Sequence, residues 1–143
     1  MSEHVTNILL VEDDEIDVMT VRRAFEKNRI TNPLFVAANG LEALEVLRSE
    51  RMPAQRRLVL LDLNMPKMNG IEFLRALRRD PLLAATSVVV LTTSNNDRDK
   101  VEAYDLNVAG YLLKPVTFSN FVELMATLNR YWTLVEMPEC QKR

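Results

Sequence analysis

Three apolar runs, Ile8-Leu9-Leu10-Val11, Leu58-Val59-Leu60-Leu61 and Val88-Val89-Val90-Leu91, each stop abruptly on polar groups. The first stops on Glu12-Asp13-Asp14, the second on Asp62 and the third on Thr92-Thr93-Ser94. Short, wholly apolar runs of this kind read as strands buried on both faces, as in a parallel sheet covered by helices. In an open parallel sheet, ligands bind in the crevice at the carboxyl ends of the strands. The three polar terminations are therefore expected to converge on one site.

The rest of the chain fits that frame. Strand-like runs at 8–11, 34–37, 58–61, 88–91 and 111–113 alternate with helical segments, which argues for an α/β fold with a parallel sheet. A first helix at about 15–27 carries Val18, Val21, Ala24 and Phe25 on one face. A second follows Asn39-Gly40, with Leu41, Ala43, Leu44 and Leu47, and residues 49–57 read as a loop. A third follows Asn69-Gly70 and stops at Asp80-Pro81, and a short fourth takes its cap from the stretch 94–97. The last helix starts at Phe118, and Pro138 is expected to end it.

Composition excludes several classes of function. The 143 residues make one ordinary domain, and 18 Lys+Arg against 20 Asp+Glu leave no basic footprint for nucleic acid or an anionic membrane. No apolar stretch nears the roughly 20 residues that span a bilayer, and the polar start lacks a signal-peptide pattern, so a cytoplasmic protein is expected. His4 is the only histidine and Cys140 the only cysteine, which rules out an intrachain disulfide and a soft-ligand zinc site. His4 reads as solvated and Cys140 as an exposed tail thiol. The three glycines, Gly40, Gly70 and Gly110, are too far apart for a phosphate-binding loop or a dinucleotide fingerprint.

Taken singly, acidic pairs, Asp-x-Asn turns and a Lys-Pro step all have structural explanations as caps and turns. Together they make a different prediction. If Glu12, Asp13 and Asp62 meet, each like-charge pair at about 4 Å opposes folding by roughly 4 kcal/mol at an effective dielectric of about 20. A cation must compensate, and carboxylates, backbone carbonyl and water are hard oxygen ligands suited to Mg²⁺. A carboxylate beside Mg²⁺ can stay a ligand or attack phosphorus to give an aspartyl phosphate. A hydroxyl from Thr92 and a positive charge from Lys114 would complete a phosphoryl site.

The set Glu12-Asp13, Asp62 followed by Met65-Pro66, Thr92, and Tyr111-x-x-Lys114-Pro115 resembles the receiver domain of bacterial response regulators, in order and in spacing. The resemblance covers residues 6–130. It implies a flavodoxin-like (CheY-like), doubly wound five-stranded parallel sheet of order 2-1-3-4-5, with residues 131–143 as a C-terminal extension. It also implies that Asp62 is the phosphoacceptor, that Glu12, Asp13, Asp62 and the backbone carbonyl of Asn64 hold Mg²⁺ (Mn²⁺ as a substitute), and that Thr92 and Lys114 contact the phosphate. Tyr111 matches the aromatic switch that turns inward as the threonine moves, and Asn64 and Ser94 stand where the phosphoryl lifetime is tuned. The Lys114–Pro115 peptide is typically cis in this family. The implied partner is a sensor histidine kinase whose phosphohistidine supplies the phosphoryl group, and no output domain is evident in the sequence. A weaker likeness, carried by Leu91-Thr92-Thr93-Ser94, residues 111–118 and Tyr131-Trp132, is to regulators that partner phytochrome-type kinases.

Two readings of the last helix stand side by side. Leu124, Leu128, Tyr131, Trp132 and Val135 continue a second apolar stripe beyond Phe121, Val122 and Met125. The stripe either folds back on its own domain or forms a partner surface. The second reading predicts a homodimer through Phe121, Leu124, Leu128, Tyr131 and Trp132. Two other functions compete with the receiver reading. A phosphohydrolase of the haloacid-dehalogenase type also uses an Asp nucleophile, but generally wants a second Asp two residues on, where this chain has Asn64. A receiver fold that only docks would not need the acids, Thr92 and Lys114 together.

Overall fold

The computed structural model of the protein describes residues 5–138. His4 and Cys140, and with them the sequence readings made of both, lie outside the described residues. The elements alternate as β1 (Asn7–Val11), α1 (Glu15–Lys27), β2 (Leu34–Ala37), α2 (Gly40–Arg48), β3 (Arg57–Leu61), α3 (Gly70–Arg79), β4 (Ser87–Thr92), α4 (Asp97–Asp105), β5 (Gly110–Leu113) and α5 (Phe118–Leu134). All four strand pairings are parallel, and the sheet order is β2-β1-β3-β4-β5, as the resemblance implies.

Strand residues divide by alternation into two cores. Leu9, Val11, Val59, Leu61, Val88 and Val90 pack with residues of α2 and α3 and with Ala103 of α4. Ile8, Leu10, Leu58, Leu60, Val89 and Leu91 pack with Val21, Ala24 and Phe25 of α1 and with α5 on the other face. The period-two geometry of a strand makes this division automatic, and burial on both faces is why the runs contain no polar residue.

Each helix begins on a side chain able to accept a backbone hydrogen bond. Asp14 caps α1, Asn39 caps α2, Asn69 caps α3 in a capping box with Glu72, Asn96 caps α4 and Thr117 caps α5. These caps fix where the chain turns from strand to helix, and hence which residues remain in the loops at the carboxyl edge.

Three expectations are corrected. Arg57 is no loop residue: it opens β3, is buried, and its guanidinium donates to the carbonyls of Leu47, Met52 and Pro53. Those bonds let an arginine take a core position by closing the carboxyl end of α2 and the loop after it. Helix α5 ends at Leu134, before Pro138, because Val135 turns extended. Two carbonyls at that end are taken by another part of the chain: Arg56 donates to Trp132 O at 2.8 Å and Val135 O at 3.4 Å, and Thr6 donates to Trp132 O at 3.1 Å. Finally, the Lys114–Pro115 peptide is trans, no cis bond occurring among the described residues; the two forms of an Xaa–Pro bond differ by only about 0.5–1 kcal/mol, so local surroundings decide.

Candidate functional site

Register brings the strand ends together. Val11 of β1 lies opposite Leu61 of β3, so the next residues, Glu12 and Asp62, emerge side by side. On the other side β4 pairs with β5 through Thr92↔Leu113, which sets Lys114 one residue beyond Thr92. The chain leaves β1 for β2 on one side and later occupies β3 on the other, and this reversal opens the crevice into which these residues project.

Glu12, Asp13 and Asp62 offer carboxylate oxygens that all lie within 4.8 Å of one another. Glu12 and Asp62 are buried and Asp13 is exposed, so the group opens to solvent through Asp13. Thr92 is fully buried and donates its hydroxyl proton to Asp62 Oδ1 at 2.8 Å, and the Asn64 amide donates to the same oxygen at 3.3 Å. Lys114 Nζ lies 2.6 Å from Glu12 Oε1, 2.8 Å from Asp17 Oδ2 and 3.5 Å from Asp62 Oδ2.

One ammonium thus faces three carboxylates, with Asp13 alongside. Burial pushes the Glu12 carboxyl up, from an ordinary 4.5 to about 7; Lys114 opposes the rise and the charge of Asp62 adds to it. For Lys114 burial acts downward, but hydrogen bonds to Asp17 and Glu12 and the charge of Asp62 outweigh it and hold the ammonium above its ordinary range. The surplus of negative charge fits a hard divalent cation, and the clustered carboxylates of Glu12, Asp13 and Asp62 are the donors Mg²⁺ or Mn²⁺ prefers.

A second layer connects the Asp62 carboxylate to α4 and β5. The Ser94 amide donates to Thr92 Oγ1 at 3.3 Å, the Tyr111 hydroxyl donates to the Ser94 carbonyl at 2.9 Å, and the Ser94 hydroxyl donates to Asp99 Oδ2 at 2.6 Å. Tyr111 is half-buried, and burial raises its phenol above the usual value despite the hydrogen bond to Ser94.

The chain matches the family described as the response regulator receiver domain over residues 8–126. It belongs to that family. It is 39% identical over 127 residues to the probable methanogenesis regulatory protein FilR2 of Methanothrix harundinacea, covering 87% of this chain and 82% of that one. With the response regulator Rcp1 of Synechocystis it shares 35% identity over 129 residues, 87% of each chain; a structure of Rcp1 in its Mn(2+)-bound form superposes with a TM-score of 0.79 over 93% of this chain and 99% of that one, at 33% identity. The phosphorylated cyanobacterial phytochrome response regulator RcpA superposes with a TM-score of 0.84 at 32% identity, over 94% of this chain and 99% of that one. Phosphorylation on an aspartate is the general function of receivers.

Of the residues singled out in the sequence, Glu12, Asp13, Asp62, Thr92 and Lys114 lie together in this receiver, with Asn64, Ser94 and Tyr111 bonded around them. Two members of the arrangement were missed. Asp17 lies in the first turn of α1, three residues after the cap Asp14, and left no signal beyond an acid at a helix start. Asp99, five residues from Ser94, left no signal beyond an acid in the first turn of a helix. The expected dimer residues divide. Phe121, Leu128 and Trp132 are core residues, packed with Met125 against the sheet and α1, so the fold itself consumes that stripe; Leu124 and Tyr131 remain half-buried at its edge.

Among the described residues no helix is long and apolar enough to cross a membrane.

Proposed function

We propose that Asp62 accepts a phosphoryl group from the phosphohistidine of a sensor histidine kinase. The observation that carries this reading is the junction of Asp62 with Thr92, Lys114 and the carboxylates of Glu12 and Asp13 at one crevice. An oxygen of the Asp62 carboxylate forms the new O–P bond as the N–P bond of the donor breaks, its electron pair returning to the imidazole. Glu12, Asp13, Asp62 and the carbonyl of Asn64 would hold Mg²⁺, which supplies positive charge against the phosphoryl oxygens. Lys114, already 3.5 Å from Asp62, adds a further positive charge there, and Thr92 redirects its hydroxyl hydrogen bond from the carboxylate to a phosphoryl oxygen. Turnover is limited to the protein's own phosphorylation and dephosphorylation, so it acts as a signalling acceptor and not as an enzyme on free substrates.

The likeness to Rcp1 and RcpA supports a phytochrome-type kinase as the phosphodonor. Exposed Val116 and Phe118, which line a cleft beside Lys114 at the start of α5, supply an apolar surface for it. The conformational output is a population shift: phosphoryl contacts to Thr92 and Lys114 favour one arrangement of the loops after β3 and β4. A homodimer is part of the proposal, through the apolar side chains of α5 left outside the core: Leu124, Tyr131 and the exposed Leu134. Light scattering at high micromolar concentration, with and without phosphorylation, tests it, and a monomeric mass in both states refutes it.

The phosphoacceptor test uses Mg²⁺ and acetyl phosphate, with intact masses of wild type and Asp62→Asn compared. Gain of one acid-stable, base-labile phosphoryl group by the wild type alone is the expected result. No gain by the wild type would leave a docking module instead, and steady hydrolysis of a phosphomonoester would revive the hydrolase reading, against which Asn64 stands.

A further inference from the structure

Every polar group of Ser94 is committed, and each to a different part of the receiver. Its amide reaches Thr92 Oγ1, its carbonyl takes the Tyr111 hydroxyl proton from β5, and its hydroxyl donates to Asp99 in the first turn of α4. The Thr92 hydroxyl gives its one proton to Asp62 and accepts from the Ser94 amide through a lone pair, so a single side-chain position satisfies both bonds. The arrangement therefore couples three things: Thr92 facing the acceptor, Tyr111 bonded at Ser94, and α4 docked on the loop. Of the bonds that hold Ser94, the one to Asp99 is a hydroxyl–carboxylate bond at 2.6 Å, charge-assisted and the shortest. Asp99 is itself fixed, because the cap residue Asn96 accepts from its amide and from that of Arg98.

Resting on the receiver reading, we propose that Asp99 is a positioning residue for the phosphoryl site: by holding the Ser94 hydroxyl it keeps Thr92 turned to Asp62 and Tyr111 engaged. Asp99 touches neither Asp62 nor the incoming group and acts only through Ser94. A plain capping role for this carboxylate, favourable at a helix N-terminus, predicts loss of helix stability without any change at Tyr111. The two roles therefore separate experimentally. Because coupling is reciprocal, whatever holds the loop in this arrangement also tightens binding of a phosphoryl mimic.

The experiment measures the affinity of beryllofluoride, in the presence of Mg²⁺, for wild type, Ser94→Ala, Asp99→Ala, Asp99→Asn and the double variant Ser94→Ala/Asp99→Ala. All carry 3-fluorotyrosine, with the Tyr111 signal assigned from Tyr111→Phe, and all are checked for folding by the emission of Trp132. Asp99→Ala is expected to weaken binding by about fivefold or more and to move the Tyr111 signal before any ligand is added. Asp99→Asn keeps an acceptor for the Ser94 hydroxyl and is expected to stay within about threefold of wild type. The double variant should bind no more weakly than either single one, since each removes the same bond. Unchanged binding and an unmoved Tyr111 signal in Asp99→Ala would overturn the proposal, as would additive losses in the double variant or an Asp99→Asn as weak as Asp99→Ala. Should Asp99→Ala fail to fold, Ser94→Ala carries the same expectation and the same refutation. Absence of binding by the wild type would overturn the receiver reading itself, a failure distinct from wild-type binding that is indifferent to Asp99.

Discussion

Lys114 lies closer to Asp17 than to Asp62: its ammonium is 2.8 Å from Oδ2 of the helix residue and 3.5 Å from Oδ2 of the proposed phosphoacceptor. Asp17 is partly exposed, so the pair is screened, but it draws part of the lysine's positive charge away from the acidic cluster. Asp17→Asn should release that charge onto Glu12 and Asp62 and weaken Mg²⁺ binding by about 1 kcal/mol, or roughly fivefold. Calorimetric titration of wild type and variant with Mg²⁺ checks this, and tighter binding by the variant would contradict it.

Glu12 sets a pH dependence for the metal-free protein. Its carboxyl titrates near 7 in the fold against 4.5 ordinarily, so the folded state holds a proton that the unfolded chain has already released between those values. Stability from this group is therefore fully present below about 4.5 and is lost as pH rises towards and through 7. Urea midpoints in EDTA should fall from pH 5 to pH 8 in the wild type and fall less in Glu12→Gln. Equal slopes for the two proteins would show that Glu12 is not the group responsible.

Gly70 is a steric prediction. A Cβ there would lie 2.6 Å from Leu63 Cα and 2.8 Å from the Asp62 carbonyl oxygen, both backbone atoms that cannot swing aside. Gly70→Ala should destabilise the protein by about 1–3 kcal/mol and slow acetyl-phosphate labelling, because relief of the clash moves the loop carrying Asp62. Chemical denaturation followed by Trp132 emission and a labelling time course measure the two effects. A variant that loses stability but labels normally would confine the role of Gly70 to packing.

Trp132 distinguishes the two readings of the last helix energetically. The side chain is fully buried and its ring centroid is 5.9 Å from that of Phe25. Trp132→Ala should cost about 3–5 kcal/mol. Its indole N–H is buried without a hydrogen-bond partner among the described residues, so Trp132→Phe removes an orphaned donor along with some volume and should cost only about 1 kcal/mol. Half-buried Tyr131 should lose less than about 1.5 kcal/mol on change to Ala. Denaturant midpoints by circular dichroism rank the three, and a mild Trp132→Ala would return this residue to the surface reading.

Much of the fold was legible because local rules and tertiary demands agree in it. The four-residue apolar runs are what a strand covered on both faces requires, and an Asp, Asn or Thr stands before every helix to take its free amides. The site was legible for a related reason: the chemistry stands at the last residue of a strand or just after it, so strand recognition located Glu12, Asp62, Thr92 and Lys114. The misreadings have a common cause. Arg57, Trp132 and the end of α5 depend on partners tens of residues away: Arg57 on the carbonyl of Leu47, Trp132 on Phe25, and the helix end on Thr6 and Arg56. An apolar stripe has the same periodicity whether its own sheet or another molecule covers it.

Alternation, caps and spacing therefore determined from the sequence alone an α/β sheet with carboxylates, a threonine and a lysine at its carboxyl edge, because each of these is a short-range property of the chain. Only the tertiary structure decided that Lys114 is shared with Asp17, that Ser94 ties Thr92 to Asp99 and Tyr111, and that the last helix buries Trp132 in its own domain. Those facts are set by which strands are neighbours, by their register and by what lies across the sheet, and none of these is written in any short stretch of the sequence.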